Sequence, residues 1–195
     1  MYVLDLSVAP EEQKDLYPGT EYPLIPYSLT RFPGGEEHIC IDDTGINVSY
    51  PVLIICRTAS SSALIQLMLA VDALRELDLD QLYLFLPYVP YARQDRVGVE
   101  GEAHSLRAFS RFINSMGFIK VFTFDNHSDV STALIERCYN VPSATVIKYE
   151  VEPLLFSREN ELFHIVSPDA GALKKIYGVI EVLNHPVQSP VIGMK

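Results

Sequence analysis

Short apolar runs that alternate with helix-patterned segments constrain this chain more than any other feature. Pro51-Val-Leu-Ile-Ile-Cys56, Gln81-Leu-Tyr-Leu-Phe-Leu86 and Ile119-Lys-Val-Phe-Thr-Phe124 have the length and the β-branched or aromatic content of strands. The first two are apolar without alternation, the pattern expected when helices cover both faces of a sheet. Between them lie Ser60, Ser61 and Ser62, which suit a helix N-cap, and then ALIQLMLAVDALREL, a helix whose apolar residues crowd most of its circumference. A further helix is expected from about Ser105 to Met116, closed by Gly117 at a left-handed C-cap. Such alternation is the mark of βαβ units, so the chain reads as α/β, with a mainly parallel sheet flanked by helices.

The carboxyl-terminal part is sparser. Asp129 is placed to cap a helix through STALIERCY, which Pro142 would stop, and a domain boundary is expected there: 1–141 for the first domain and 142–195 for the second. Beyond it, Ser143 to Ile147 and Phe163 to Val166 read as strands, Ala170 to Leu183 as a helix and Ser189 to Gly193 as another strand. A piece with so few elements buries little surface, so the second domain is expected to be incomplete.

Composition narrows function. With 15 Lys and Arg against 25 Asp and Glu the formal net charge is −10, which argues against nucleic acid as a partner. No apolar run approaches the roughly 18–20 residues of a spanning helix, and the amino terminus has no basic, apolar leader, so no membrane partner is expected. Cys40, Cys56 and Cys138 lack metal-ligand spacing and fit reduced thiols, which points to the cytoplasm.

Ligands of open α/β sheets bind beyond the carboxyl ends of the strands. Three such places are polar here: Pro87 to Arg96, Asp125 to Asp129, and Ser167 to Gly171. Arg93, Gln94 and Arg96 offer amide donors and guanidinium forks suited to phosphate oxygens; the same stretch also reads as a solvated loop in which Arg93 or Arg96 pairs with Asp95. Asp125, His127 and Asp129 alternate, so in an extended stretch they would share one side, as residues of a metal or phosphate site must. Alternatively Asp129 is only a cap and His127 a hydrogen-bonded loop residue. Asp169 adds a carboxylate of the hard kind that Mg²⁺ prefers. There is no G-x-G-x-x-G, G-x-x-x-x-G-K-[ST], C-x-x-C, H-E-x-x-H or G-x-S-x-G.

PYVPYARQDR, FTFDNHSD and VSPDAGALKK, in this order and at this spacing, resemble the ribose-phosphate pyrophosphokinase (phosphoribosyl diphosphate, PRPP, synthetase) family; TRFPGGEEHICI and LMLAVDALREL resemble its R-F-x-D-G-E segment and first long helix. The resemblance implies a type I phosphoribosyltransferase-like fold and a reaction in which ATP, with Mg²⁺, gives its diphosphoryl group to ribose 5-phosphate, forming PRPP and AMP. It implies that Arg93 and Gln94 contact ATP and that His127 and Asp169 belong to the Mg²⁺ and triphosphate site. It further implies that His127 and Lys195 are catalytic, and that Phe32 and Glu36 hold the adenine across a subunit interface of a homo-oligomer. Gly34 stands where the family motif has aspartate, and Ser128 and Asp129 depart from the family's usual residues. The family's aspartate-rich sugar-phosphate loop is not found within residues 1–195, so the chain by itself is expected to be an inactive fragment. The competing expectation is a noncatalytic subunit that regulates or assembles with active ones.

Overall fold

The computed structural model describes residues 1–8, 12, 22–57, 60–156, 164–167, 169–170, 172–183 and 188–192. The chain divides into two compact units, Met1–Asn140 and Val141–Lys195. In chain order the first carries strands β1 (Tyr2–Asp5), β2 (Tyr27–Arg31), β3 (Glu37–Ile41) and β4 (Val52–Ile55), helix α1 (Ser61–Glu76), β5 (Leu82–Leu86), α2 (Ser105–Ser115), β6 (Lys120–Phe124), α3 (Asp129–Leu134) and β7 (Cys138–Val141). The sheet runs β1-β4-β5-β6-β7. Its first four strands are parallel, with Val52 opposite both Tyr2 and Leu82, and Leu84 opposite Val121.

Successive strands from β4 to β6 step in one direction, so right-handed crossovers put α1 and α2 on one face. Val52, Ile54, Leu82, Leu84, Leu86 and Val121 are buried in one cluster with Leu67, Val71 and Leu74 of α1 and Leu106, Phe109 and Ile113 of α2. The intervening Leu53, Tyr83, Phe85 and Phe122 are only half-buried. The continuous apolar runs therefore overstate coverage: one face is sealed and the other partly open.

Both helix starts are set locally. The Ser60 hydroxyl accepts the Ala63 N–H at 3.1 Å, as the serine run suggests. At α2 the cap is His104, whose Nδ1 accepts the Arg107 N–H at 3.1 Å. Gly117, just past α2, has φ +62°, the left-handed conformation expected of it. The antiparallel hairpin β2–β3, with Arg31 opposite Glu37, has no counterpart in the sequence reading.

The helix expected through STALIERCY ends early. It starts after Ser128, not Asp129, and stops at Leu134; Ile135 is extended, Arg137 has φ +53°, and Cys138–Val141 is a strand. The cause is tertiary: the Asn114 side chain donates to Leu134 O at 3.0 Å and accepts from the Glu136 N–H at 2.9 Å, capping the short helix from α2.

The second unit contains α4 (Ser143–Phe156), β8 (His164–Ser167), α5 (Leu173–Leu183) and β9 (Gln188–Ile192), with β8 and β9 parallel. Ser143 to Ile147 is thus the start of a helix rather than a strand. Ala144, Ile147 and Val151 recur at helical spacing and pack with Val179 and Leu183 of α5, so the helical period overrides the β-branched content. Pro142 precedes this helix and its carbonyl accepts the Thr145 N–H at 3.0 Å. The strand and helix expected around residues 163–193 are present as β8, α5 and β9, while Phe163 and Gly193 lie outside the described residues. Among the described residues no helix is long and apolar enough to cross a membrane.

Candidate functional site

Because β1, β4, β5 and β6 are parallel, the loops after them emerge at one edge. After β5 the backbone is pinned while side chains face solvent. Val89 and Ala92 are buried, Tyr91 O accepts the Gln94 N–H at 2.8 Å, and Gln94 O accepts the Leu106 N–H of α2 at 3.4 Å. Arg93 and Gln94 are exposed, and among the described residues no ion pair joins Arg93 or Arg96 to Asp95. Tyr91 has φ +62°, a left-handed conformation costing a non-glycine residue roughly 1–2 kcal/mol.

After β6, Asp125 has φ +46°, so the chain turns there and Asp125, His127 and Asp129 do not alternate along an extended stretch. His127 and Asp129 are exposed and Asp125 half-buried. Asn126 is buried: its N–H donates to Asn140 Oδ1 of β7 at 3.0 Å and its Nδ2 to Thr132 Oγ1 at 3.2 Å. Thr123 and Cys138 meet at 3.6 Å beneath the loop, where burial pushes the Cys138 thiol up. The hydroxyls of Ser128 and Ser131 are buried with no hydrogen-bond partner among the described residues.

Two further polar groups, neither singled out from sequence, shape this end of the first unit. Asp5, fully buried at the end of β1, accepts the Ser7 N–H at 2.8 Å and pairs with Arg57, beyond β4, at 3.3 Å. Glu37 Oε1 accepts from Ser62 at 2.5 Å and from Arg31, and Oε2 accepts from Gln66 at 3.1 Å. The hydrogen bonds from Ser62, Arg31 and Gln66, with the Arg31 charge, hold the Glu37 carboxyl at about 2. Glu37 thereby ties the β2–β3 hairpin to the first two turns of α1, which itself starts at the ligand edge. A carboxylate following Phe and Glu in a turn was the available signal, but two of its three partners lie 25 and 29 residues away.

The hairpin carries Phe32 and Glu36. Phe32 is 53% exposed, with its ring 5.1 Å from that of His38, and Glu36 is exposed. The Glu36 carboxylate lies over Gly34, where an added Cβ would stand 2.6 Å from Oε2.

In the second unit Asp169 follows β8. Its Oδ1 accepts the Ala172 N–H at 2.9 Å ahead of α5, its carbonyl accepts the hydroxyl of buried Ser167 at 2.7 Å, and it is exposed. Lys195 lies outside the described residues. The structure therefore gathers Arg93, Gln94 and His127 onto neighbouring loops of one edge, with Phe32 and Glu36 on a hairpin clamped to α1.

Among the described residues no group of three or more His, Cys, Asp or Glu could by itself hold a metal ion. That donor set fits Mg²⁺ only in the form in which it usually meets nucleotides, taking phosphate oxygens, one or two carboxylates and water.

A sequence profile described as the N-terminal domain of ribose phosphate pyrophosphokinase matches residues 1–117. A ribose-phosphate pyrophosphokinase of Thermococcus kodakarensis is 31% identical over 82% of this chain and 55% of its own length. That of Clostridium perfringens is 26% identical over 91% of this chain and 56% of its own length. The chain thus spans just over half the length of these curated relatives. The crystal structure of phosphoribosylpyrophosphate synthetase from Mycobacterium smegmatis superposes with a TM-score of 0.74 at 17% identity, over 99% of this chain and 64% of that one, and so shares its fold. On the profile match above all, this chain belongs to the ribose-phosphate pyrophosphokinase family.

Proposed function

We propose that this chain supplies the nucleotide-binding part of a ribose-phosphate diphosphokinase, the reaction being transfer of diphosphate from ATP to ribose 5-phosphate to give PRPP and AMP. The observation that carries the reading is the pair of loops after β5 and β6, pinned through their backbones yet presenting Arg93, Gln94 and His127 to solvent at one edge. Such transfers proceed mainly by positioning and by offsetting charge, so a guanidinium, an amide and an imidazole without a covalent nucleophile fit the chemistry.

Arg93 binds phosphate oxygens through its fork, Gln94 orients them, and His127 donates to the group in flight. Mg²⁺ offsets charge on the triphosphate when bound, and on the resemblance His127 and Asp169 belong to its site, with Lys195 a further catalytic cation. Phe32 and Glu36 are read as base contacts given to a neighbouring copy, which makes a homo-oligomer the working assembly and the cytoplasm its setting. The second reading is a noncatalytic regulatory or assembly subunit, favoured by Gly34, which offers the base no side-chain bond.

Calorimetry with Mg-ATP tests the proposal. Saturable binding is expected, weakened roughly 10- to 100-fold by Arg93→Ala, as loss of a charge-assisted bond requires; an unchanged affinity rejects it. In a longer chain that also carries a sugar-phosphate loop, AMP release on addition of ribose 5-phosphate, strongly depressed by His127→Ala, is expected on the catalytic reading and no AMP release on the noncatalytic one.

A further inference from the structure

At the amino ends of β1 and β4, Met1, Tyr2, Tyr22, Pro23 and Tyr50 line a cavity of about 260 Å³. Backbone bonds hold its walls. The Val3 N–H donates to Pro23 O at 3.0 Å, the Ile25 N–H donates to Val3 O at 2.8 Å, and Val3 pairs in parallel with Leu24. Tyr22 therefore stands beside the start of β1. The Tyr2 N–H donates to Pro51 O at 2.8 Å, next to Tyr50, and the Tyr2 hydroxyl accepts the Asn47 N–H at 2.9 Å.

The Tyr2 and Tyr50 rings are 6.1 Å apart at 78°, so they form two nearly perpendicular walls, and Tyr22 supplies a third ring. Tyr22 and Tyr50 are 51% and 52% exposed, so much of each ring is left to water. The face of an aromatic ring attracts cations, and several rings around one cavity are the means by which proteins hold quaternary ammonium groups. Among the described residues no Lys or Arg lines the cavity; the one cation there is the α-amino group of Met1, a residue 40% exposed, where salt screens charge. The chain's formal net charge of −10 favours a cationic visitor. A fully methylated ammonium has no N–H to leave unbonded, so it enters a carbon-walled cavity at less cost than a protonated amine. The volume falls below the roughly 300–1,000 Å³ of drug-sized sites and suits a compact head group.

We propose that this cavity binds the quaternary ammonium group of a small organic cation through the rings of Tyr2, Tyr22 and Tyr50. It lies at the opposite ends of the parallel strands from the loops of Arg93 and His127, and it does not depend on the nucleotide reading.

Choline is the probe, titrated into the full chain with the three tyrosine ring signals followed by NMR, against 3,3-dimethyl-1-butanol, its neutral isostere. Choline should shift all three rings saturably and bind more tightly than the alcohol. Tyr50→Leu and Tyr22→Leu should each weaken choline roughly 2- to 30-fold, the scale of one cation–π contact, while Tyr50→Phe, which keeps the ring, stays close to the parent. Equal affinity for choline and the alcohol would make the cavity merely apolar and overturn the proposal. So would the absence of ring shifts up to about 0.1 M choline, or unchanged affinity in both leucine variants. A trimethyllysine peptide bound far more tightly than choline, or a proline-rich peptide that shifts the rings when choline does not, would assign the cavity to a protein partner and overturn the small-molecule assignment.

Discussion

Replacing Asn140 by alanine tests how the His127 loop is held. Asn140 Oδ1 accepts the backbone N–H of Asn126 at 3.0 Å, and Asn126 is only 9% exposed. Without the acceptor that N–H is left in a place water reaches poorly, a loss of about 1–3 kcal/mol. Asn140 itself is half-buried, so water entering where its amide stood recovers part of the loss and brings the expected value to about 1–2 kcal/mol. That equals a roughly 5- to 30-fold larger population of the opened loop. Amide hydrogen exchange at Asn126 reads this population directly: it should quicken by that factor in Asn140→Ala and stay near the parent value in Asn140→Asp, which keeps an acceptor oxygen. Mg-ATP affinity should follow the same order, because the loop carries His127. Equal exchange at Asn126 in the parent and the alanine variant would refute the reasoning.

Glu37 gives the chain an acid sensitivity of known sign. Its carboxyl is held at about 2 against an ordinary 4.5, so its contribution is complete above pH 4.5 and is lost as pH falls from there toward 2. Urea midpoints measured across that window should fall less steeply in Glu37→Gln; parallel curves would show that the clamp adds nothing. His104→Ala removes the α2 cap and should destabilise by about 1 kcal/mol in thermal melts, with His104→Asn close to the parent; equal melts for all three would mean the cap bond is idle. Gly34→Asp must push the Glu36 carboxylate aside. If the hairpin holds the base, it should raise Mg-ATP affinity roughly tenfold in the assembled protein, and no change would remove the hairpin from the base site.

The parallel core was legible because its signals are local. Apolar runs of strand length, a serine N-cap before α1 and Gly117 after α2 each report their own conformation within a few residues. The polar segments Pro87 to Arg96 and Asp125 to Asp129 were legible for the same reason, since a strand end is followed by its loop. The misreadings share a different cause. Cys138 and Tyr139 continue a helical pattern, and the Asn114 side chain, reaching from α2 to Leu134 and Glu136, with the Val121 N–H bonded to Arg137 O, ends that helix early. Ser143 to Ile147 has β-branched residues but is decided by packing against Val179 and Leu183. The bend at Asp125 and the clamp at Glu37 depend on partners that a linear pattern does not display.

Amide and side-chain NMR of the full chain, recorded as Mg²⁺-tripolyphosphate is added, addresses the phosphate edge most directly. The account predicts saturable shifts concentrated at Arg93, Gln94 and His127 and in the backbone from Asp125 to Ser128. Shifts confined to other surfaces, with those residues unmoved at saturation, would contradict it.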